Sequence, residues 1–339
     1  MEHLTRLRKR LRDCIQGGYI PGGLKEAIEQ EPAFRMSLSM EPIDEGAFDY
    51  EDKRTLAHPT LVYMLQEVKD IYQSGELCTR FRRDQGAWPF TVFRPLIELV
   101  IKLHGKSKWR LENVQSQNIA PQYLPCLAGR PVVRKTDFSF SYSCLDPSLS
   151  TLYKRLEEVN AMPVSHTTDN FTSRVLLYSG FEIKPENGDQ KEAELQMGIW
   201  MAANLRKKTE LAKKAALQSK FSQREHAPAI PVDQDPSESQ DHENDDDDRS
   251  IHALVEPGHT MIGHEHKIYY AYPTSANGGT TVLGPDEKLL NLSTRSPEGI
   301  FKLIVIFSNI LDYGYGTEPG EGLWNGYLRK VIEGLCRNT

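Results

Sequence analysis

The segment at residues 174–184 restricts the possible fold more than any other part of the sequence. It predicts a β-strand whose apolar run at 175–177 is continuous, as in a central strand that other layers cover on both faces. The strand ends on Glu182 and Lys184, which share one side because residues two apart in a strand point the same way. Charges in such a place are unfavourable unless they are paired or functional. The segment therefore predicts a covered sheet with a polar site at one strand end.

Hydrophobic periodicity predicts helices and further strands on both sides of this segment. The predicted helices cover residues 1–16, 56–75, 88–104, 148–160 and 193–224, a helix that Ser296 caps, and 322–335. The predicted strands cover residues 132–142, 174–184, 267–273 and 280–283. Helices that precede, separate and follow strands are typical of an α/β fold with layers of helix on a sheet.

The chain is expected to contain one main domain with an N-terminal extension. Residues 1–55 combine a basic helix with a segment rich in Gly, Pro and acidic residues, which predicts irregular structure at 17–55. The helix at 1–16 is interpreted either as a solvated helix or as a phosphate-binding arm. Residues 56–339 form the predicted domain. Its segment at 227–250 carries Pro, Ser and a run of Asp, cannot bury apolar surface, and is expected to be a disordered acidic insertion.

The bulk composition favours a globular intracellular protein. The 339 residues carry a net charge of −6 and a pI of about 6.0, which does not by itself indicate a nucleic-acid partner. The five cysteines are scattered and include no C-x-x-C pair, so neither disulfides nor a zinc site are expected. No stretch is long and apolar enough to predict a membrane span, and a cytoplasmic location is expected. The composition does not predict an oligomeric state.

Three charged residues form the candidate site. Asp137 lies on the polar face of the strand at 132–142, and if that strand neighbours the strand at 174–184, Asp137 joins Glu182 and Lys184. An E-x-K motif alone is short and common, and an exposed ion pair of little energetic value is the alternative interpretation. The two acids and the base of this cluster nevertheless have the chemistry of a catalytic or metal-binding site.

Several stretches, in their order along the chain, resemble the PD-(D/E)XK nuclease-like superfamily and its fungal branch of nuclease-like domain proteins. They are AWPFTVFRPLIELV at 87–100, KTDFSF at 135–140, VSHTT at 164–168, SGFEIK at 179–184, AELQMGIW at 193–200 and HKIYYAY at 266–272. The resemblance implies a core in which helices flank a mixed central sheet, here with extra N-terminal helices. It also implies that Asp137, Glu182 and Lys184 are the catalytic residues. The supporting residues that it implies are Gln196, Trp200 and His166.

Some members of the fungal branch are arginine-containing cyclodipeptide synthases. This resemblance implies partners of two kinds, arginyl-tRNA and a second aminoacyl-tRNA, whose amino acids are joined in a diketopiperazine at the start of a secondary-metabolite pathway. No cofactor is expected for such a synthase, and the second amino acid is not predicted. The acids Asp137 and Glu182 would bind a guanidinium group, or one of them would take the proton from the attacking amine. Lys184 would stabilise the carbonyl oxyanion.

Two other functions are compatible with the same residues. In a nuclease, Asp137 and Glu182 would hold Mg²⁺, which activates water near Lys184. Phosphate contacts are predicted for the basic residues of the following helix, for which a solvated helix face is the alternative; these residues are Arg206, Lys207 and Lys208. The third possibility is a non-catalytic nucleic-acid-binding relic of the nuclease fold.

Overall fold

The structure is a computed structural model that describes residues 2–51, 56–105, 107–127, 129–225, 254–274, 279–316 and 321–336. The expected insertion at 227–250 lies outside the described residues. The α-helices are α1 Glu2–Asp13, α2 Lys25–Gln30, α3 Arg35–Met40, α4 His58–Arg80, α5 Arg94–His104, α6 Pro147–Glu158, α7 Gln190–Glu225, α8 Pro297–Tyr315 and α9 Arg329–Leu335. Two π-helical turns, Pro89–Phe93 and Trp324–Leu328, lead directly into α5 and α9.

One mixed sheet forms the centre of the protein. The strands are β1 Ile20–Pro21, β2 Phe48–Asp49, β3 Trp109–Asn113, β4 Cys126–Leu127, β5 Arg130–Pro131, β6 Phe138–Tyr142, β7 Leu177–Lys184, β8 Glu256–Ile262, β9 Glu265–Pro273, β10 Thr280–Leu283 and β11 Leu292–Ser293. The sheet has the order β10-β9-β8-β7-β6-β3, and β11 also pairs with β9. β7 and β8 are parallel, and the other pairs of this sheet are antiparallel. The position of β7 between β6 and β8 is that of a central strand, as its apolar run predicts.

Helices cover both faces of the sheet. α7 packs against β7, β8 and β9 on one face, and α9 packs on α7. On the other face the ring of Phe181 contacts Phe93 and Phe307, which belong to the turn before α5 and to α8. These layers confirm the predicted fold class, a mixed sheet flanked by helices.

Two glycines allow α7 to lie close to the sheet. A Cβ atom on Gly180 of β7 would stand 2.8 Å from Cδ1 of Trp200, and one on Gly258 of β8 would stand 2.4 Å from Sδ of Met197. Trp200 and Met197 both belong to α7. Because residues two apart share a face of the sheet, Glu182 and Lys184 also point toward α7.

The N-terminal segment is more ordered than its composition predicts. The expectation of irregular structure at 17–55 is wrong for its described part, because α2, α3 and the parallel pair of β1 and β2 form there. Apolar side chains explain the difference, since Ile20, Ile28 and Phe34 are fully buried in the common core.

The basic helix α1 packs on α8 and buries its leucine stripe. Its arginines are engaged within the chain: Arg12 donates to Asp286 at 2.7 Å, and Arg10 lies 3.2 Å from Asp312. Arg8 also contacts Asp286. The structure therefore does not support the interpretation of this helix as a phosphate-binding arm. Within the part of the chain that the structure describes, no helix is both long and apolar enough to cross a membrane.

Candidate active site

The structure brings Asp137, Glu182 and Lys184 together where β6 and β7 pair. The Asp137 N–H donates to the carbonyl of Phe181 at 3.0 Å, which fixes the start of β6 beside the end of β7. Nζ of Lys184 lies 3.0 Å from Oε1 of Glu182. The three residues are 6%, 2% and 7% exposed, so the alternative of an exposed surface pair does not apply.

Both oxygens of Asp137 accept hydrogen bonds. Nε2 of Gln115 donates to Oδ1 at 2.7 Å, and the backbone N–H of Ile183 donates to Oδ2 at 2.7 Å. Burial raises the pKa of Asp137, and these two hydrogen bonds together with the charge of Lys184 oppose that rise. Asp137 is therefore a fixed carboxyl group whose orientation is set by the neighbouring strand.

Glu182 has one oxygen that is engaged and one that is not. Oε1 is paired with Lys184, whereas Oε2 is buried and has no hydrogen-bond partner among the described residues. The nearby hydroxyl of Thr136 gives its proton to the carbonyl of Phe181 at 2.8 Å. Burial, and secondly the negative charge of Asp137, raise the pKa of Glu182 to about 8. This carboxyl group can therefore accept or release a proton close to neutral pH.

Gln196 holds the ammonium group of Lys184 in place. Nζ of Lys184 donates to Oε1 of Gln196 at 2.7 Å, and Nε2 of Gln196 donates to the carbonyl of Lys135 at 3.3 Å. One amide on α7 thus links the end of β7 to the residues before β6. Gln196, which the resemblance implies as a supporting residue, thus contacts Lys184 directly.

A family model for the PD-(D/E)XK nuclease superfamily matches residues 34–317, which is most of the chain. The chain belongs to the PD-(D/E)XK nuclease superfamily. Neither the comparison with curated proteins nor the comparison with solved structures gives a match. Membership agrees with the order of the elements around the site, where the residues D…E-x-K lie on neighbouring strands and α7 follows.

In this superfamily member, Trp200 and His166 lie in the interior. Trp200 is fully buried over Gly180, and its ring meets the ring of His166 edge to face at a centroid distance of 4.4 Å. Burial lowers the pKa of His166 to about 3, so its imidazole is neutral at physiological pH. Trp200 packs on Gly180 of β7, His166 packs on Trp200, and both side chains are inaccessible to a substrate in this conformation.

The basic residues that follow Trp200 on α7 are not arranged for phosphate binding. The side chains of Lys207 and Lys208 are only 3% and 1% exposed; Lys207 pairs with Glu210, and Lys208 pairs with Glu256. Arg206 donates to the carbonyl of Tyr123 at 2.7 Å. Both interpretations of these residues, as phosphate contacts and as a solvated helix face, are therefore corrected. They failed because the acidic partner of Lys208 lies 48 residues away on β8, where no local pattern indicates it.

Two polar residues of the site were not predicted from the sequence. Gln115 follows β3, which the periodicity does not indicate, and Thr260 lies on β8 as the register partner of Glu182. Thr260 is fully buried, and its hydroxyl has no hydrogen-bond partner among the described residues. The strand β8 carries the sequence EPGHTMI, in which Pro and Gly weaken the strand signal.

The carboxyl groups of the site fit a hard cation such as Mg²⁺. Asp137 and Glu182 supply the oxygen ligands that Mg²⁺ prefers, and the uncommitted Oε2 of Glu182 is a free acceptor. When bound, such a cation would supply Lewis-acid activation of a phosphate or carbonyl oxygen. The described residues contain no cluster of three or more His, Cys, Asp or Glu side chains that could hold a metal ion. Any ligands beyond the two carboxylates would have to be main-chain, water or substrate oxygens.

Proposed function

We propose that this chain is a tRNA-dependent cyclodipeptide synthase that joins arginine from arginyl-tRNA to a second amino acid from its aminoacyl-tRNA. The observation that carries the proposal is the state of Glu182, a buried carboxyl group with one uncommitted oxygen and a pKa raised to about 8. Formation of an amide from an ester requires a group that takes a proton from the attacking amine near neutral pH. The resemblance described above supplies the identity of the substrates.

The geometry supports the chemistry of two successive aminolysis steps. In each step, the α-amine of one amino acid attacks the ester carbonyl of another, a C–N bond forms, and the C–O bond to the tRNA ribose breaks. Glu182 takes the proton of the amine and returns it to the ribose oxygen that leaves. The ammonium group of Lys184, fixed by Gln196, stabilises the negative charge on the carbonyl oxygen. The ester is already activated, so the reaction needs no nucleoside triphosphate.

The site favours proton transfer over guanidinium binding as the role of its two acids. A bidentate guanidinium contact needs free carboxylate oxygens. Both oxygens of Asp137 already accept hydrogen bonds, and Oε1 of Glu182 is paired with Lys184. Of these four oxygens, Oε2 of Glu182 alone has no hydrogen-bond partner among the described residues, which suits a single proton transfer.

A magnesium-dependent nuclease is the second candidate function, and membership of the superfamily is equally consistent with it. The observation that favours it is the pair of oxygen ligands from Asp137 and Glu182 on neighbouring strands. In that reaction the cation would supply Lewis-acid activation of the scissile phosphate, while Lys184 orients the attacking water and stabilises the developing charge.

One set of assays separates the candidates. The purified chain is incubated with arginyl-tRNA and with pools of other aminoacyl-tRNAs, and cyclic dipeptides are sought by mass spectrometry; uncharged tRNA serves as the blank. In parallel, labelled DNA and RNA are incubated with Mg²⁺ and with a chelator. A cyclic arginine dipeptide that requires charged tRNA supports the synthase, and chelator-sensitive strand cleavage without such a product overturns it.

The matched variants are Glu182→Gln and Glu192→Gln, since Glu192 is an exposed glutamate on the same helix as Gln196. Glu182→Gln should abolish the product, and Glu192→Gln should retain it. A chain with neither activity would be the non-catalytic relic, and the proposal would be wrong.

A further inference from the structure

A second polar group lies on the same face of the sheet as Glu182. The register places Glu182 of β7, Thr260 of β8 and Lys267 of β9 in one row across the sheet. The side chains of this row face α7, because Gly180 and Gly258, two residues earlier, lie against Trp200 and Met197 of that helix. Thr260 stands in the middle of the row with a buried hydroxyl that has no hydrogen-bond partner among the described residues.

On the β9 side of Thr260, two uncharged hydrogen-bond donors hold the carboxylate of Glu194. The phenol of Tyr269 donates to Oε1 of Glu194 at 2.7 Å, and Nε2 of Gln190 donates to the same oxygen at 2.7 Å. Burial and the contact with Glu194 raise the pKa of Tyr269. The phenol therefore remains a donor at physiological pH, and the orientation of the carboxylate is fixed.

The charge of Glu194 is not neutralised within the described residues. No cation there lies within salt-bridge distance of it, since Lys267, the nearest candidate in the row, donates instead to Oε1 of Gln190 at 2.9 Å. Both hydrogen bonds that the Glu194 carboxylate accepts from the described residues use Oε1, so Oε2 is available. A half-buried, oriented and unpaired carboxylate is the arrangement that binds a cationic group from outside.

We propose that Glu194, together with Thr260 and Tyr269, forms a subsite for the guanidinium group of the substrate. Tyr269, which holds Glu194, lies on β9, and two strand spacings, or roughly 10 Å, separate β9 from the strand β7 that carries Glu182. An extended arginine side chain spans much of that distance, with its guanidinium group at Glu194 and its α-carbon near Glu182 and Lys184. The assignment of the cation to arginine depends on the proposed function, whereas the cation-binding character of the subsite follows from the contacts alone.

The test compares a cationic ligand with a neutral ligand of nearly the same shape. L-Argininamide and L-citrullinamide share the α-amine and the amide and differ in the guanidinium group, so the ratio of their affinities reports only the subsite. The intact chain should bind L-argininamide at least about tenfold more tightly, as measured by calorimetry or NMR titration. Glu194→Gln should remove this preference, and Thr260→Val should reduce it several-fold. Glu192→Gln, at an exposed position two residues earlier on α7, should leave it unchanged.

Thermal melting confirms that each variant is folded, and Glu194→Gln retains the hydrogen-bond acceptor for Tyr269. An unchanged preference in folded Glu194→Gln would overturn the subsite, as would equal binding of the two amides by the intact chain. Absence of a cyclic dipeptide in the tRNA assay would instead overturn the proposed synthase function and leave the binding comparison intact. The two failures are therefore distinguishable.

Discussion

The ammonium group of Lys208 and the carboxylate of Glu256 form an ion pair between α7 and β8 in which both side chains are buried, at 1% and 0% exposure. Glu256 also accepts hydrogen bonds from Nδ2 of Asn204 at 2.9 Å and from the backbone N–H of Ser179 at 3.0 Å. Lys208 donates to the carbonyl of Leu177 at 2.6 Å. This pair joins the helix that carries Gln196 to the two parallel strands that carry Glu182 and Thr260.

Removal of the Lys208 charge should destabilise the protein strongly. Lys208→Met leaves the Glu256 carboxylate buried without its cation, and the free energy of unfolding should fall by about 3–5 kcal/mol. The double variant Lys208→Met/Glu256→Gln should recover much of that loss, because no charge remains buried. Denaturant unfolding measures both, with Lys214→Met as the control, since the side chain of Lys214 is 58% exposed. A loss as small as that of the control would show that Glu256 is accommodated without its partner.

The close approach of α7 to the sheet gives a second prediction. Gly180→Ala places a methyl group 2.8 Å from Cδ1 of Trp200, and α7 must move away from β7 to accommodate it. Overpacking of this kind destabilises by about 1–3 kcal/mol, and the shift also separates Gln196 from Lys184. Thermal unfolding and the activity assay should therefore both show a loss.

Gly198→Ala is the matched control, on the same helix. A Cβ atom there meets its nearest neighbour, Cγ2 of Val282, at 3.9 Å, which is ordinary contact. Alanine is a better helix former than glycine by up to about 1 kcal/mol, so this variant should be as stable as the parent or more stable. Equal effects of the two substitutions would contradict the packing argument.

The sequence predicts the centre of the fold and the cluster of Asp137, Glu182 and Lys184 because both depend on local patterns. The apolar run of β7 and the alternation at 132–142 indicate two strands, and the pairing of these strands places Asp137 beside Glu182. The helical pattern after β7 places Gln196 over Lys184. The role of Gln115 and Thr260 depends instead on β3 and β8, whose patterns are weak and whose positions are set by pairing with β6 and β7.

Pairing between residues far apart in the sequence also explains why the predicted roles of Lys208 and of the basic helix α1 are wrong. The charge of Lys208 indicates a solvated or phosphate-binding face when α7 is considered alone. Its acidic partner, Glu256, lies on β8 and reaches Lys208 only because β8 pairs with β7 in the folded protein. In the same way, Asp286 neutralises Arg12 of α1 from a position 274 residues away, which no local pattern indicates.

Gln196 should act as a positioning residue for Lys184. Gln196→Leu removes the acceptor at 2.7 Å and lets the ammonium group turn away from the carbonyl that it would stabilise in the proposed reaction. The rate of product formation should fall about tenfold, which is about 1.4 kcal/mol of transition-state stabilisation. Gln196→Glu keeps an acceptor for Lys184, and its rate should stay within a few-fold of the parent. A normal rate in Gln196→Glu would show that Gln196 positions Lys184. If Gln196 only filled space, leucine would be tolerated better than glutamate.

The last prediction concerns the opposite pH dependences that one carboxyl group gives to stability and to activity. The pKa of Glu182 is raised from its ordinary value of 4.5 to about 8 in the folded protein. Between these two pH values the folded state holds a proton that the unfolded state has lost. The contribution of Glu182 to the free energy of unfolding is therefore fully present below pH 4.5, declines as pH rises toward 8, and is constant above it. Activity should change in the other direction, because a general base must be deprotonated: kcat/KM should rise with pH, reach half of its maximum near pH 8 and level off above it.

Glu182→Gln separates the two effects. The variant carries no titratable group at this position, so its free energy of unfolding should exceed that of the parent by an amount that grows with pH, at up to about 1.4 kcal/mol per pH unit. Its kcat/KM should be at least about a hundredfold lower at pH 8, since the proton acceptor is gone. Denaturant unfolding and initial rates from pH 5 to pH 9 measure both quantities on the same preparations, with exposed Glu192→Gln as the control. If the stability difference between Glu182→Gln and the parent were the same at every pH, Glu182 would not be the group that titrates, and its assignment as the base would be wrong.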